Sequence, residues 1–202
     1  MLYILVLVIV IIIYSQHKHI NKVPKDIEIL QFNNPEKEKF EQMLSNKQPS
    51  VFTNVLDHVI LNNQNIHTYF DFYLPSMCLK NKYIVDKLIK NQESQIKRQS
   101  SYRKLIYQIQ GVQKIILFPP TNAKHLYLDK TNQFSNVNFW NLKPQIYPDF
   151  NQAKYLEIIL RPRQMIYIPH GWFYTFKVAQ DGDILSSDSE SVFSFLLKKN
   201  KI

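Results

Sequence analysis

Glycine is nearly missing from this chain: 202 residues contain 3, at Gly111, Gly171 and Gly182, where an average protein has about 7%. A loop that wraps phosphates with its backbone needs glycines in a cluster, so dinucleotide-binding and P-loop folds are excluded. Cysteine is scarcer still. With Cys78 alone, the chain can build neither an internal disulfide framework nor a cysteine zinc site, which suits a reducing compartment or one where no staples are needed. Internal repeats, low-complexity tracts and a second linker are also lacking. Acidic residues are outnumbered, 16 against 25 Lys and Arg, for a formal net charge of +9. That balance bears on association with anionic partners rather than on fold. The basic side chains are spread out. Their densest stretch, Lys80, Lys82, Lys87, Lys90, Lys97, Arg98, Arg103 and Lys104 against Asp86 and Glu93, reads as a solvated lysine-rich face, and nucleic acid is not an expected partner.

Hydrophobic residues make up 45% and charged residues 20%, the balance of a globular body. Setting aside the first fourteen residues leaves enough chain for one domain with its own core. Those fourteen read MLYILVLVIVIIIY. The run is shorter than the 17–25 or so residues that a bilayer core asks for, although local thinning and snorkelling of Lys18 can absorb mismatch. Three readings fit it: an uncleaved anchor, a signal-peptide core, or a buried strand. No basic side chain precedes it and no small-residue cleavage site stands before Ser15, so the anchor is the expectation. Lys18, Lys22 and Lys25 follow it, which would leave the body in the cytoplasm as a single-pass membrane protein. The expected organisation is therefore a transmembrane anchor at 1–14, a linker at 15–25 and one domain at 26–202.

Within the body, Ile27 and Ile29 alternate with polar neighbours as in a half-buried strand. Asn34-Pro35-Glu36 then carries the cap, proline and acid of a helix start, with Phe40, Met43 and Leu44 as its apolar face. A strand is expected at 50–54 and a helix at 55–61. Residues 78–96 are ambiguous, with helix expected around 83–89. From Arg103 the pattern turns to strands: RKLIYQIQ, KIILF, HLYL, YLEIIL, QMIYIP, FYTFKV and SVFSFLL are β-branched or aromatic runs broken by Gly, Pro, Asn or Asp. Many short strands after a helical lead-in argue a sandwich or barrel.

Three segments resemble the JmjC and cupin-like family of 2-oxoglutarate oxygenases. FEQMLSNKQPSVFTNVLDHV is similar to the lead that covers the family's barrel. LIYQIQGVQKIILFPP, with Gly111 between strands and Pro119-Pro120 ending the second, is similar to its strand-turn-strand. LRPRQMIYIPHGWFYTF is similar to its late hairpin with the Ile-Pro-x-Gly-Trp core. The resemblance implies a mostly β fold, a double-stranded β-helix or jelly roll of cupin type, behind N-terminal helices and the hydrophobic N-terminal segment. The glycines, prolines and Trp172 are read as specifying that fold.

Members of the family hold Fe(II) with two histidines and a carboxylate. By resemblance, the His-x-Asp/Glu positions fall here on Arg98 and Ser100 and the distal histidine on Tyr174. The lysine that grips 2-oxoglutarate falls on Gln113, with Lys114 on the opposite face. None of the six histidines has Asp or Glu two positions later. Arginine offers a metal no lone pair, and a guanidinium about 4 Å from a divalent ion would be repelled by roughly 8 kcal/mol at an effective dielectric of 20. Tyrosine, with a reference pKa of about 10, is a poor ligand at neutral pH. His170, His125 and His67 read as ordinary turn or surface residues rather than replacement ligands. The implied pocket comprises Arg98, Gln113, Tyr174, Trp172 and Tyr107, with no catalytic residue, no metal and no cofactor. The expected function is a membrane-anchored, catalytically silent binding or scaffold module. Two alternatives stay open: an active hydroxylase or demethylase that uses Fe(II) and 2-oxoglutarate through atypical ligands, and a structural protein of a virion or organelle envelope.

Overall fold

The computed structural model describes residues 2–20, 27–54 and 78–191. Ten strands and two α-helices are seen among them. They are α1 (Leu2–Ile20), β1 (Leu30–Asn33), α2 (Lys37–Ser45), β2 (Ser50–Thr53), β3 (Cys78–Leu88), β4 (Lys97–Arg98), β5 (Arg103–Gln108), β6 (Val112–Phe118), β7 (Leu156–Leu160), β8 (Gln164–Pro169), β9 (Phe173–Gln180) and β10 (Gly182–Ser191). The strands form a six-stranded sheet, in order β1-β2-β8-β5-β10-β3, and a four-stranded sheet, in order β4-β9-β6-β7. This mostly β architecture is the one the strand pattern implied.

Alternation along the strands sorts side chains into layers. Ile106, Ile166, Ile168 and Ile184 from the larger sheet meet Ile115, Leu117, Ile158, Leu160, Trp172, Tyr174 and Val178 from the smaller one in the interior core. The other face of the larger sheet packs Leu105, Tyr107, Tyr167 and Leu185 beneath Phe40 and Leu44 of α2. The outer face of the smaller sheet packs Ile116, Phe118 and Phe173 beneath Leu126, Val137 and Phe150 of the long connection between β6 and β7. β5 and β8, in the middle of the larger sheet, are therefore buried along almost their whole length.

Two of the three glycines meet at one place. Gly111 turns β5 into β6 with φ +77°, and a Cβ there would collide with the main chain of Gln180 and Asp181. A Cβ on Gly182, between β9 and β10, would run into the Gln110 carbonyl. Neither position has room for a side chain.

Several expectations are corrected. Residues 83–89 are not helical: β3 pairs with β10 in one ladder from Cys78 to Leu88, and a continuous partner strand overrides a weak local preference. β10 itself, GDILSSDSES, is too polar to stand out as a strand. The HLYL run does not form a strand either. It closes a 3-10 helix at Pro120–His125 and passes through Tyr127 at φ 47°, leaving an isolated bridge from Leu128 to Ser135. The helix expected at 55–61 lies outside the described residues, as does SVFSFLL apart from Ser191. α2 begins one residue after Glu36 and buries Phe40 and Leu44.

Among the described residues no helix is long and apolar enough to cross a membrane, so the single-pass transmembrane helix expected of residues 1–14 is not supported. The run folds as the first part of α1, where at 1.5 Å per residue its apolar section reaches only about 20 Å of a hydrocarbon core about 30 Å thick. Its side chains from Tyr3 to Ile12 are exposed.

Candidate functional site

The interior core is interrupted by polar side chains toward one end of the barrel. They enclose a cavity of about 270 Å³, lined by Lys97, Lys104, Gln113, Tyr174 and Ser186 together with Asp86 at its rim and the apolar Ile106, Phe176 and Ile184.

Register decides which basic residue enters it. β4 pairs antiparallel with β9, Lys97 opposite Tyr174 and Arg98 opposite Phe173. Directly opposed residues share a face. Tyr174 belongs to the interior core and Phe173 to the outer cluster. Lys97 therefore points inward, its Nζ 5.1 Å from the Tyr174 ring, and Arg98 lies outside with its guanidinium 5.8 Å from the Phe173 ring. Gln99 is buried and Ser100 is exposed. The two positions turned toward the interior are thus Lys97 and Gln99, one residue earlier than Arg98 and Ser100.

Lys104, which sequence reasoning did not place in the site, enters from β5 one step before Ile106. Its Nζ donates to Asp188 Oδ2 at 2.7 Å, and the two residues are cross-strand partners in the β5–β10 ladder. Asp188 also accepts from Ser101 Oγ at 2.6 Å and from Gln99 Nε2 at 3.5 Å. Burial alone would raise the Asp188 pKa, but the Lys104 ammonium and these hydrogen bonds outweigh it and hold the carboxyl below its ordinary range. Lys97 has no carboxylate at bonding distance among the described residues. Burial, then the nearby Lys104 charge, lowers its pKa against the opposing pull of Asp188 and Asp86.

Gln113 is buried in the cavity wall and donates to Gln108 Oε1 at 2.8 Å, while Gln108 donates to the Gln110 carbonyl at 2.6 Å. Lys114 faces outward and pairs with Glu157 at 2.7 Å. Tyr174 keeps its proton, since burial and then the Asp188 charge raise its pKa. Trp172 lies in the packed interior core rather than on the cavity wall. Tyr107 is on the opposite face of the larger sheet, beneath α2, because it follows inward-facing Ile106 by one residue. The cavity thus brings together Gln113 and Tyr174 of the implied pocket but neither Arg98 nor Tyr107.

This donor set does not fit Fe(II). Besides Asp86 at the rim, the lining offers ammonium groups, a carboxamide and a protonated phenol rather than two imidazoles and a carboxylate, and Asp188 is already bonded to Lys104 and Ser101. No group of three His, Cys, Asp or Glu residues is placed to hold a metal among the described residues. His170 is not among the residues that line the cavity, and its Nδ1 lies 3.2 Å from the Ser101 carbonyl. Burial lowers its pKa against that hydrogen bond, with Arg98 and Lys47 adding to the effect. His125 ends the 3-10 helix away from the cavity, and His67 is outside the described residues.

Comparison with known proteins gives the same stretch of chain. Residues 90–186 match the model of the cupin-like domain. The tRNA wybutosine-synthesizing protein 5 of Danio rerio is 35% identical over 80 residues, which is 39% of this chain and 24% of that protein. The HSPB1-associated protein 1 of Mus musculus is 29% identical over 75 residues, 35% of this chain and 16% of that protein. The chain spans about a quarter or less of the length of these relatives.

Proposed function

Since residues 90–186 of this chain are a cupin-like domain of the JmjC type, we propose that it works as a metal-free binding module. It is silent as an iron oxygenase, and its barrel takes a small carboxylate on Lys97. The observation that carries this reading is the charge balance of the cavity. Lys104 is neutralised by Asp188 at 2.7 Å, whereas Lys97 enters the same space with no partner carboxylate among the described residues. A carboxylate about 4 Å from that ammonium gains roughly 4 kcal/mol at an effective dielectric of 20, and the Tyr174 hydroxyl in the same lining can donate to it. At about 270 Å³ the cavity lies below the usual span of drug-sized pockets, roughly 300–1,000 Å³. The ligand is therefore a small mono- or dicarboxylate.

Titration calorimetry of the purified chain with succinate and 2-oxoglutarate, in chelator, tests this. Heat of binding is expected with at least one of them, and Lys97→Met should weaken it by about tenfold or more, the equivalent of about 1.4 kcal/mol. Silence toward both acids would sink the carboxylate reading. Stoichiometric iron together with succinate release from 2-oxoglutarate would sink the inactivity.

We further propose that α1 attaches this module to a membrane. Its side chains from Tyr3 to Ile12 are apolar and exposed, and an apolar helix gains by burial at the headgroup–acyl boundary even when too short to span. The full chain is expected to float with phosphatidylcholine vesicles on a density gradient. The double variant Val8→Asp, Ile11→Asp should stay at the bottom, and equal flotation of both would refute the attachment.

A further inference from the structure

Behind the larger sheet, on the face turned away from the cavity, lies a second set of polar side chains that the carboxylate reading does not use. Lys47 is 2% exposed, Arg103 5%, and Ser187 and Ser189 are fully buried. Among the described residues, Lys47 Nζ, Arg103 Nε and Nη1, and both serine hydroxyls have no hydrogen-bond partner. They are gathered by the fold. Arg103 and Ser189 are cross-strand partners of the β5–β10 ladder, and Ser187 stands opposite Leu105 two residues along. Strand alternation puts all of them on the α2 side, opposite to Lys104 and Asp188. Lys47 arrives from the turn after α2, in the left-handed region at φ 58°, a conformation that costs a non-glycine residue about 1–2 kcal/mol. Its Nζ lies 3.9 Å from the centre of the Tyr102 ring, and the Arg103 guanidinium lies 5.1 Å from the same ring.

Two buried cations against one aromatic ring, with two idle hydroxyls and no carboxylate paired to them among the described residues, form an arrangement that is costly when empty. The mutual repulsion is visible at Lys47, whose pKa is pushed down to about 8 by burial and then by the Arg103 charge. Each of the four groups can donate, so what they lack in common is an acceptor carrying negative charge.

We propose that Lys47, Arg103, Ser187 and Ser189 form a site for a small oxyanion of the phosphate or sulfate class. It is separate from the barrel cavity and independent of whatever that cavity binds. The anion supplies several acceptor oxygens, which lets one group serve two cations and two hydroxyls at once. Occupancy would join the turn after α2 to β5 and β10, and so fasten α2 to the larger sheet.

Thermal denaturation of the full chain in sodium chloride, sodium sulfate, sodium phosphate and glycerol 3-phosphate at matched ionic strength tests this. Stabilisation by phosphate or sulfate beyond chloride is expected, saturating with concentration. Glycerol 3-phosphate distinguishes a free anion from a phosphate carried on a larger molecule, since a closed site admits only the former. Lys47→Met should lose the anion effect, with apparent affinity weakened at least tenfold, while in chloride it should melt no lower than the parent because a buried charge has been removed. Equal melting of the parent chain in all four salts would overturn the site. So would Lys47→Met that is destabilised in chloride and still responds to phosphate like the parent, since the amine would then be paired by the chain itself. Should that variant not fold, the salt series on the parent chain decides alone.

Discussion

Replacing Trp172 by alanine should lower stability by about 3–5 kcal/mol, the range for truncating a large aromatic in a packed core. The side chain is 1% exposed and sits where both sheets meet, among Ile115, Leu117, Ile166, Ile168 and Tyr174. These neighbours are strand residues held by ladders on both sides, so the space left behind cannot close by a simple shift. The loss should appear as a lower denaturant midpoint with an unchanged slope. A loss under about 1 kcal/mol would mean that the two sheets do not depend on this contact.

Asp188→Ala should cost about 2–4 kcal/mol at neutral pH, because it leaves the Lys104 ammonium, 11% exposed, without its counter-charge. The pH dependence gives a second readout. The folded carboxyl titrates below its ordinary value, held there by Lys104, Ser101 and Gln99 against the opposing effect of burial. A depressed folded pKa contributes stability that is present above the unfolded value, near 4, and is lost as pH falls through the folded value. The gap between parent and variant should therefore be full at pH 7 and shrink below about pH 4. A gap of constant size down to pH 2 would show that the carboxyl charge contributes nothing and that the loss is one of packing.

How far could these features be read beforehand? The fold was legible because its signals are local. Ile-Pro-x-Gly-Trp and the paired prolines after KIILF fix turns and strand ends, and β-branched runs fix strands. β3 and β10 were illegible for the opposite reason. Their stability comes from pairing with each other over the full length of β3, and a chain such as DILSSDSES shows no such partner in its own composition. Within the site, the lack of any His-x-Asp/Glu was legible, but which side chains line the cavity was not. Arg98 and Lys97 are adjacent and both cationic, so only the pairing with Phe173 and Tyr174 assigns one outward and the other inward. Lys104 and Asp188 were missed because neither lies in a motif; they are joined across a ladder 84 residues apart. The buried Lys47 gave no sequence signal at all, since a lysine after a short helix ordinarily reads as solvated.

The meeting of Gly111 and Gly182 bears on how such a domain can diversify. Main chain there rests on main chain, so the two turns are held together by atoms common to every amino acid, and neither glycine can be exchanged for a residue with a side chain. Lys104 stands near the other end of β5, and Lys97 is paired with Tyr174 near the start of β9, far along each strand from those hairpins. Ligand preference can therefore drift by exchange of the side chains that line the cavity, Lys97 and Tyr174 among them, while the glycine contact keeps the strands in alignment.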